Sequence, residues 1–124
     1  MLIEIDFQSE EAIYMQLHNQ IILGIATSVI REGDVLPSVR QLAETVGINM
    51  HTVNKAYAVL RQEGFVTIDR RRGAVVALDA DKNRALAEMK EQLGVILAKG
   101  CCKNISCAEV HKLVDEIFKD FQKQ

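Results

Sequence analysis

Between Leu36 and Val76 the chain reads LPSVRQLAETVGINMHTVNKAYAVLRQEGFVTIDRRRGAVV, and this stretch restricts the fold more than any other. Pro37, the only proline, precedes Ser38, and Gln41 follows three residues later. That Ser-x-x-Gln spacing is a capping box, in which two side chains satisfy the free amides at a helix start. Val39, Leu42, Ala43 and Val46 then share one face of a short helix. Gly47 suits the left-handed position after the helix end. Asn49 caps a second helix with Val53, Ala56, Tyr57 and Leu60 on its inner face, and Gly64 ends it. Phe65 to Asp69 and Ala74 to Leu78 read as two strands joined by Arg70-Arg71-Arg72-Gly73. Helix, tight turn, helix and hairpin in that order spell a helix-turn-helix with a wing.

The full length of 124 residues suits one domain, or a small domain with an appendage. At 48% hydrophobic and 26% charged, the chain can bury a core. No apolar run reaches the roughly 20 residues that a bilayer span needs. The beginning, MLIEIDFQSEE, is acidic and unlike a secretory signal, so a cytoplasmic protein is expected. The net charge of −2 alone speaks against nucleic acid, but the charge is unevenly placed. Residues 1–37 carry one base and six acids, whereas residues 38–73 carry six bases and three acids, a local +3. Positive charge therefore gathers where phosphate contacts would need it.

Outside this segment the pattern is mainly helical. Leu2 to Phe7 alternates apolar and acidic residues and reads as a short strand. Ser9 is placed to cap a helix from Ala12 to about Glu32, with Ile13, Leu17, Ile21, Gly24, Ile25 and Val29 at helical spacing, and the Arg31 to Asp34 turn ends it. After Asp79 or Asp81 another helix is expected to about Lys99, stopped by Gly100. Ser106 and Glu109 form a second capping box. The expected fold is thus mainly α with a small β wing: a winged helix-turn-helix over residues 1–79 and a two-helix tail over 80–124. Roughly 45 residues are too few for an independent core. The tail stripes, Leu93, Ile96 and Leu97 on the first helix and Val110, Leu113, Val114, Ile117, Phe118 and Phe121 on the second, point to a homodimer.

A recognition helix needs a free N-terminal turn to enter the major groove. Here that turn is Asn49-Met50-His51-Thr52, followed by Asn54 and Lys55, and the apolar face starts only at Val53. Asn can bond adenine through two atoms, and Thr can bond phosphate or touch a thymine methyl. Ser38 and Arg40 sit at the start of the preceding helix, and Arg70, Arg71, Arg72 and Gly73 form a wing tip suited to the minor groove or flanking phosphates. Met50 suits packing or the groove wall. A polar helix face is usually just solvated, and an arginine hairpin tip alone is usually solvent-exposed. The ordered combination carries the expectation of double-stranded DNA as partner.

The run LPSVRQLAETVGINMHTVNKAYAVLRQEGFV closely resembles the winged helix-turn-helix of the GntR family of bacterial transcription regulators, over roughly Ala12 to Leu78. The Asn54-Lys55-Ala56-Tyr57 run and the short tail resemble its YtrA-like subfamily. The resemblance implies a homodimeric repressor reading a near-palindromic operator, with frequent control of membrane-transporter operons. It also implies that Arg40, Asn49, His51, Thr52, Asn54 and Gly73 fall on DNA-contacting positions. Many members carry arginine where this chain has Met50 and Asn54, and their wing often ends Gly-Thr-Phe-Val where this chain has Gly73-Ala74-Val75-Val76. Those differences bear on which operator is read.

Cys101, Cys102 and Cys107 surround the last interhelical turn, and three thiols do not make a disulfide framework. Cys107 and His111 are four apart on a helix and, with Cys101 or Cys102, are candidates for a soft metal site or thiol sensor. Plain reduced cysteines in a turn are the simpler expectation. The alternative function is accordingly a metal- or ligand-responsive regulator acting through the tail; a third reading is an interaction module that has kept the fold alone. No cofactor is called for, and an enzyme is not expected. His18, His51 and His111 have no catalytic companion at recognisable spacing, and no phosphate loop or metalloprotease motif occurs.

Overall fold

Helix α1 spans Ile13–Ala26 and buries Gln16, Leu17, His18 and Ile21. It is shorter than its apolar spacing predicts. Thr27 turns its hydroxyl back onto the carbonyls of Leu23 and Gly24, and Ser28 takes a left-handed φ of 63°. The chain then doubles back, and the Ile30 amide bonds the Gly24 carbonyl. Ile30 seats on Gly24 itself, where an added Cβ would lie 2.7 Å from its Cδ1. The turn from Arg31 to Asp34 is present, but it follows this reversal and does not end the helix. Ser9 does not cap α1 either: its hydroxyl accepts from the Glu11 amide, and the N-cap is Ala12 without a side-chain bond.

The computed structural model describes residues 2–122, which fall into two compact units divided between Asp79 and Ala80. In the first unit, α2 (Val39–Val46) and α3 (Met50–Gln62) form the helix-turn-helix. The α2 capping box is complete, and Gly47 closes the helix at φ 79°. Val53, Ala56, Tyr57 and Leu60 of α3 are all buried, packed with Leu17 and Ile21 of α1 and Leu42 and Ala43 of α2. Val39 and Val46 are only half-buried. Complete burial of a side chain such as Leu17 or Leu60 contributes about 1.5–3 kcal/mol.

Strands β1 (Val66–Asp69) and β2 (Gly73–Val76) pair antiparallel, with Val66 opposite Val76 and Asp69 opposite Gly73. Gly73 therefore opens β2, leaving Arg70, Arg71 and Arg72 as the tip. A third segment joins the hairpin. Val35 bridges Val75, the Leu36 amide bonds the Ala74 carbonyl, and the Gly33 amide bonds the Val76 carbonyl. No strand forms from Leu2 to Phe7, because no neighbouring backbone is there to pair with. Glutamine side chains of α1 take that place: the Glu4 amide donates to Gln20 Oε1 and the Asp6 amide to Gln16 Oε1, each at 2.9 Å. Ile3 and Ile5 pack against the core.

The second unit holds α4 (Lys82–Cys102) and α5 (Cys107–Gln122). Asp81 caps α4. Gly100 does not stop it. The helix runs through Gly100, whose carbonyl accepts from the Lys103 and Ile105 amides as the chain turns at Asn104, φ 64°. The Ser106–Glu109 capping box starts α5, with both bonds at 3.1 Å. Within α5 the Phe118 and Phe121 rings meet edge to face at 5.9 Å. No helix among the described residues is long and apolar enough to cross a membrane.

Candidate nucleic-acid interface

The first turn of α3 is held open by its own cap. Asn49 Oδ1 accepts from the His51 amide at 2.7 Å, so that oxygen is committed to the helix start. His51, Asn54 and Lys55 are exposed and Thr52 half-buried, as a helix presenting its N-terminal turn requires. Met50 is 44% exposed, beside them. Arg40 is exposed in the first turn of α2. Ser38 Oγ accepts from the Gln41 amide, and its own hydrogen remains available for a phosphate.

The angle between α2 and α3 is fixed by packing and by one buried hydroxyl. Tyr57 is 5% exposed, and its hydroxyl donates to the Pro37 carbonyl at 2.7 Å. Burial pushes the Tyr57 phenol well above the ordinary tyrosine range, so it stays a donor.

At the wing, Asp69 organises the tip. Its carboxylate accepts from the Arg71 amide at 2.8 Å and the Arg72 amide at 3.1 Å, and pairs with the Arg72 guanidinium at 3.3 Å. The two backbone amides above all, and then Arg72, hold the Asp69 carboxyl below its usual range. Arg72 is thus partly neutralised at home. The Arg70 and Arg71 side chains have no partner among the described residues and present their full charge.

Two surface features tie these parts together. A groove of about 750 Å³ runs between α3 and the wing, lined by Ser38, Asn54, Tyr57, Arg61, Ile68 and Gly73 among others, with no acid among its lining residues. It brings together residues predicted from the α2 start, the recognition helix and the wing, and it adds Arg61. The spacing Asn54, Ala58, Arg61 is helical and would have indicated that residue from sequence. A shallower cleft between α1 and α3 is lined by Ile13, Tyr14, His51, Thr52 and Lys55. There Lys55 Nζ lies 4.1 Å from the centre of the Tyr14 ring. Tyr14 is 41 positions from Lys55, and nothing local in the sequence marks the pair.

The cysteine candidates do not assemble into a metal site. Among the described residues no three His, Cys, Asp or Glu side chains converge on a metal position. Cys101 and Cys102 are adjacent on the last turn of α4, so their side chains diverge by about 100° around the helix. Cys107 belongs to the next helix with His111, and all three thiols are free and exposed. On the tail, Leu93, Ile96, Leu97, Leu113, Val114, Ile117 and Phe118 are exposed, and Val110 and Phe121 are half-buried.

The sequence profile of bacterial regulatory proteins of the gntR family matches residues 10–76. This chain belongs to the GntR family. The matched span holds α1, the helix-turn-helix and the wing, and it is the DNA-binding part of a transcription regulator. The chain is similar to the HTH-type transcriptional repressor YtrA of Bacillus subtilis strain 168, at 32% identity over 96% of this chain and 94% of that protein. Its fold is similar to a structure described as a transcriptional antiterminator from Listeria monocytogenes EGD-e, with a TM-score of 0.87 at 28% identity, covering 98% of this chain and 92% of the other. A further likeness, to the AraR DNA-binding domain in complex with operator ORX1, has a TM-score of 0.53 at 25% identity and covers 60% of this chain and 96% of that one.

Proposed function

We propose that this GntR-family chain is a homodimeric repressor that reads a near-palindromic operator, inserting α3 in the major groove and the Arg70–Arg72 tip in the minor groove or on flanking phosphates. One observation carries the reading. Ser38, Asn54 and Gly73 come from the start of α2, the recognition helix and the wing, yet they line one groove that holds a guanidinium and no acid. Much of its lining is apolar, and Ser38, Asn54 and Arg61 are polar groups there that a duplex backbone passing between helix and hairpin would meet. Arg40, Asn49, His51, Thr52, Asn54 and Lys55 are its helix-turn-helix contacts, with Ser38 and Gly73 at the groove margins. The likeness to a YtrA repressor and to a domain solved on its operator supports the same reading.

The dimer is inferred from the tail. Leu93, Ile96 and Leu97 on α4, and Leu113, Val114, Ile117 and Phe118 on α5, remain exposed in a single chain. Seven large apolar side chains left exposed on two helices neighbouring in sequence are what a protein interface would cover. Two copies would set their recognition helices about one helical turn apart on the duplex, 10–10.5 base pairs. The regulator would act in the cytoplasm, where its DNA is.

Selection of duplexes from a random pool with the purified chain tests the whole reading, and two half-sites one turn apart are expected. Arg40→Ala should weaken binding of the selected duplex while leaving the circular dichroism melt unchanged. A folded variant of unchanged affinity removes Arg40 from the interface, and recovery of no enriched sequence removes sequence reading altogether.

A further inference from the structure

The cleft between α1 and α3 holds a cation, that of Lys55, set against an aromatic face. Lys55 is exposed on α3, and its ammonium sits 4.1 Å from the centre of the Tyr14 ring, within the range of a cation–π contact. A lysine on a four-carbon stem ordinarily samples many rotamers, and the ring face selects one of them. Thr52 and His51 line the same cleft, and no acid does. Of the two acids just ahead of α1, Glu11 takes the Asn19 amide, and neither Glu10 nor Glu11 lines the cleft. Tyr14 itself packs against the hydrophobic core through part of its ring, so its position is fixed by the fold.

We propose that this cleft is a phosphodiester seat at the edge of the interface, and that Tyr14 is a positioning residue that holds Lys55 in it. The inference rests on the DNA-binding reading above. In the bound state a phosphate oxygen takes the Lys55 ammonium and the Thr52 hydroxyl, while the Tyr14 face keeps the ammonium from swinging to solvent. The lysine is charged and aimed before DNA arrives, so less rotamer freedom is lost on binding. α1 then contributes to binding through its ring face without touching a base.

The test is a double-mutant cycle on the full chain with the duplex recovered by selection. Lys55→Gln should lower the salt dependence of binding by about 1 per subunit, the mark of one lost phosphate contact. Tyr14→Leu should weaken binding about three-fold, the size of an exposed cation–π contact, and should have no further effect when Lys55→Gln is already present. Tyr14→Phe keeps the ring face and should bind like the parent. An equal loss from Tyr14→Leu in both backgrounds overturns the proposal, as does a loss in Tyr14→Phe, which would make the hydroxyl the contact. Thermal melts identify a variant that has merely unfolded. The free chain gives an independent readout: the Lys55 side-chain protons should be shifted upfield by the Tyr14 ring and should move back in Tyr14→Leu. Unshifted lysine protons in the parent refute the seat alone, whereas a parent chain that fails to retard any duplex refutes the DNA-binding reading.

Discussion

Tyr57→Phe removes one oxygen from the recognition helix and leaves its ring in place. That oxygen donates to the Pro37 carbonyl at 2.7 Å, from a side chain only 5% exposed. Because the ring remains buried, no transfer term is lost, and the cost reduces to one hydrogen bond, about 1 kcal/mol. Alkaline pH gives the argument a second arm. Burial raises the Tyr57 pKa above its ordinary value in the folded chain. A raised folded pKa means that the contribution is whole below the unfolded value, near 10, and is lost as pH climbs above it. The parent should then lose stability relative to Tyr57→Phe by up to about 1.4 kcal/mol per pH unit above that point. A deficit of about 1 kcal/mol at neutral pH is therefore erased near pH 10.7, and beyond that the variant is the more stable chain. Urea unfolding of both chains by circular dichroism, from neutral pH to about pH 11, reads the difference directly, and whatever the two chains share cancels between them. A difference that stays constant across the alkaline range would refute the assignment of a buried, hydrogen-bonded phenol.

Three more outcomes follow from the geometry. Gly24→Ala places a Cβ 2.7 Å from Ile30 Cδ1, so an overpacking cost of about 1–3 kcal/mol should outweigh a helix-propensity gain of about 1, and Ile30→Val should restore part of it in a thermal melt. Strict additivity of the two would show that no clash exists. The Asp69 carboxyl is held low, so its support of the wing tip is whole above the usual carboxylate range and is lost as pH falls through the lowered value; the Arg71 and Arg72 amide proton shifts should follow that transition and lose it in Asp69→Ala. Arg61→Gln should weaken selected and unselected duplexes alike, lowering the salt slope by about 1 per subunit in a fluorescence titration.

The caps made most of the recognition motif legible. Ser38 with Gln41, Gly47 and Asn49 are local signals, and each does in the fold what its spacing predicts. The fold departs from the local pattern where that pattern has a non-local or backbone competitor. Val29 continues the apolar period of α1, but the Thr27 hydroxyl and the Ser28 backbone end the helix at Ala26. Gly100 has the composition of a helix stop, yet Gly also lies within helices, and the left-handed residue here is Asn104. Leu2 to Phe7 has strand alternation without a strand partner, and glutamines of α1 satisfy it instead. At the interface, residues contiguous in sequence were readable. Tyr14 beside Lys55 was not, because that contact depends on how α1 crosses α3.

The bridge between Val35 and Val75 couples what sequence order separates. The wing strand is hydrogen-bonded to the segment leading into Pro37, and Pro37 is held by Tyr57 of the recognition helix. Helix and wing are therefore two jaws of one caliper, set to a fixed opening. A duplex whose grooves do not match that opening must itself bend or narrow to fit. Base pairs lying between the jaws, touched by neither, would then contribute to operator choice through their stiffness.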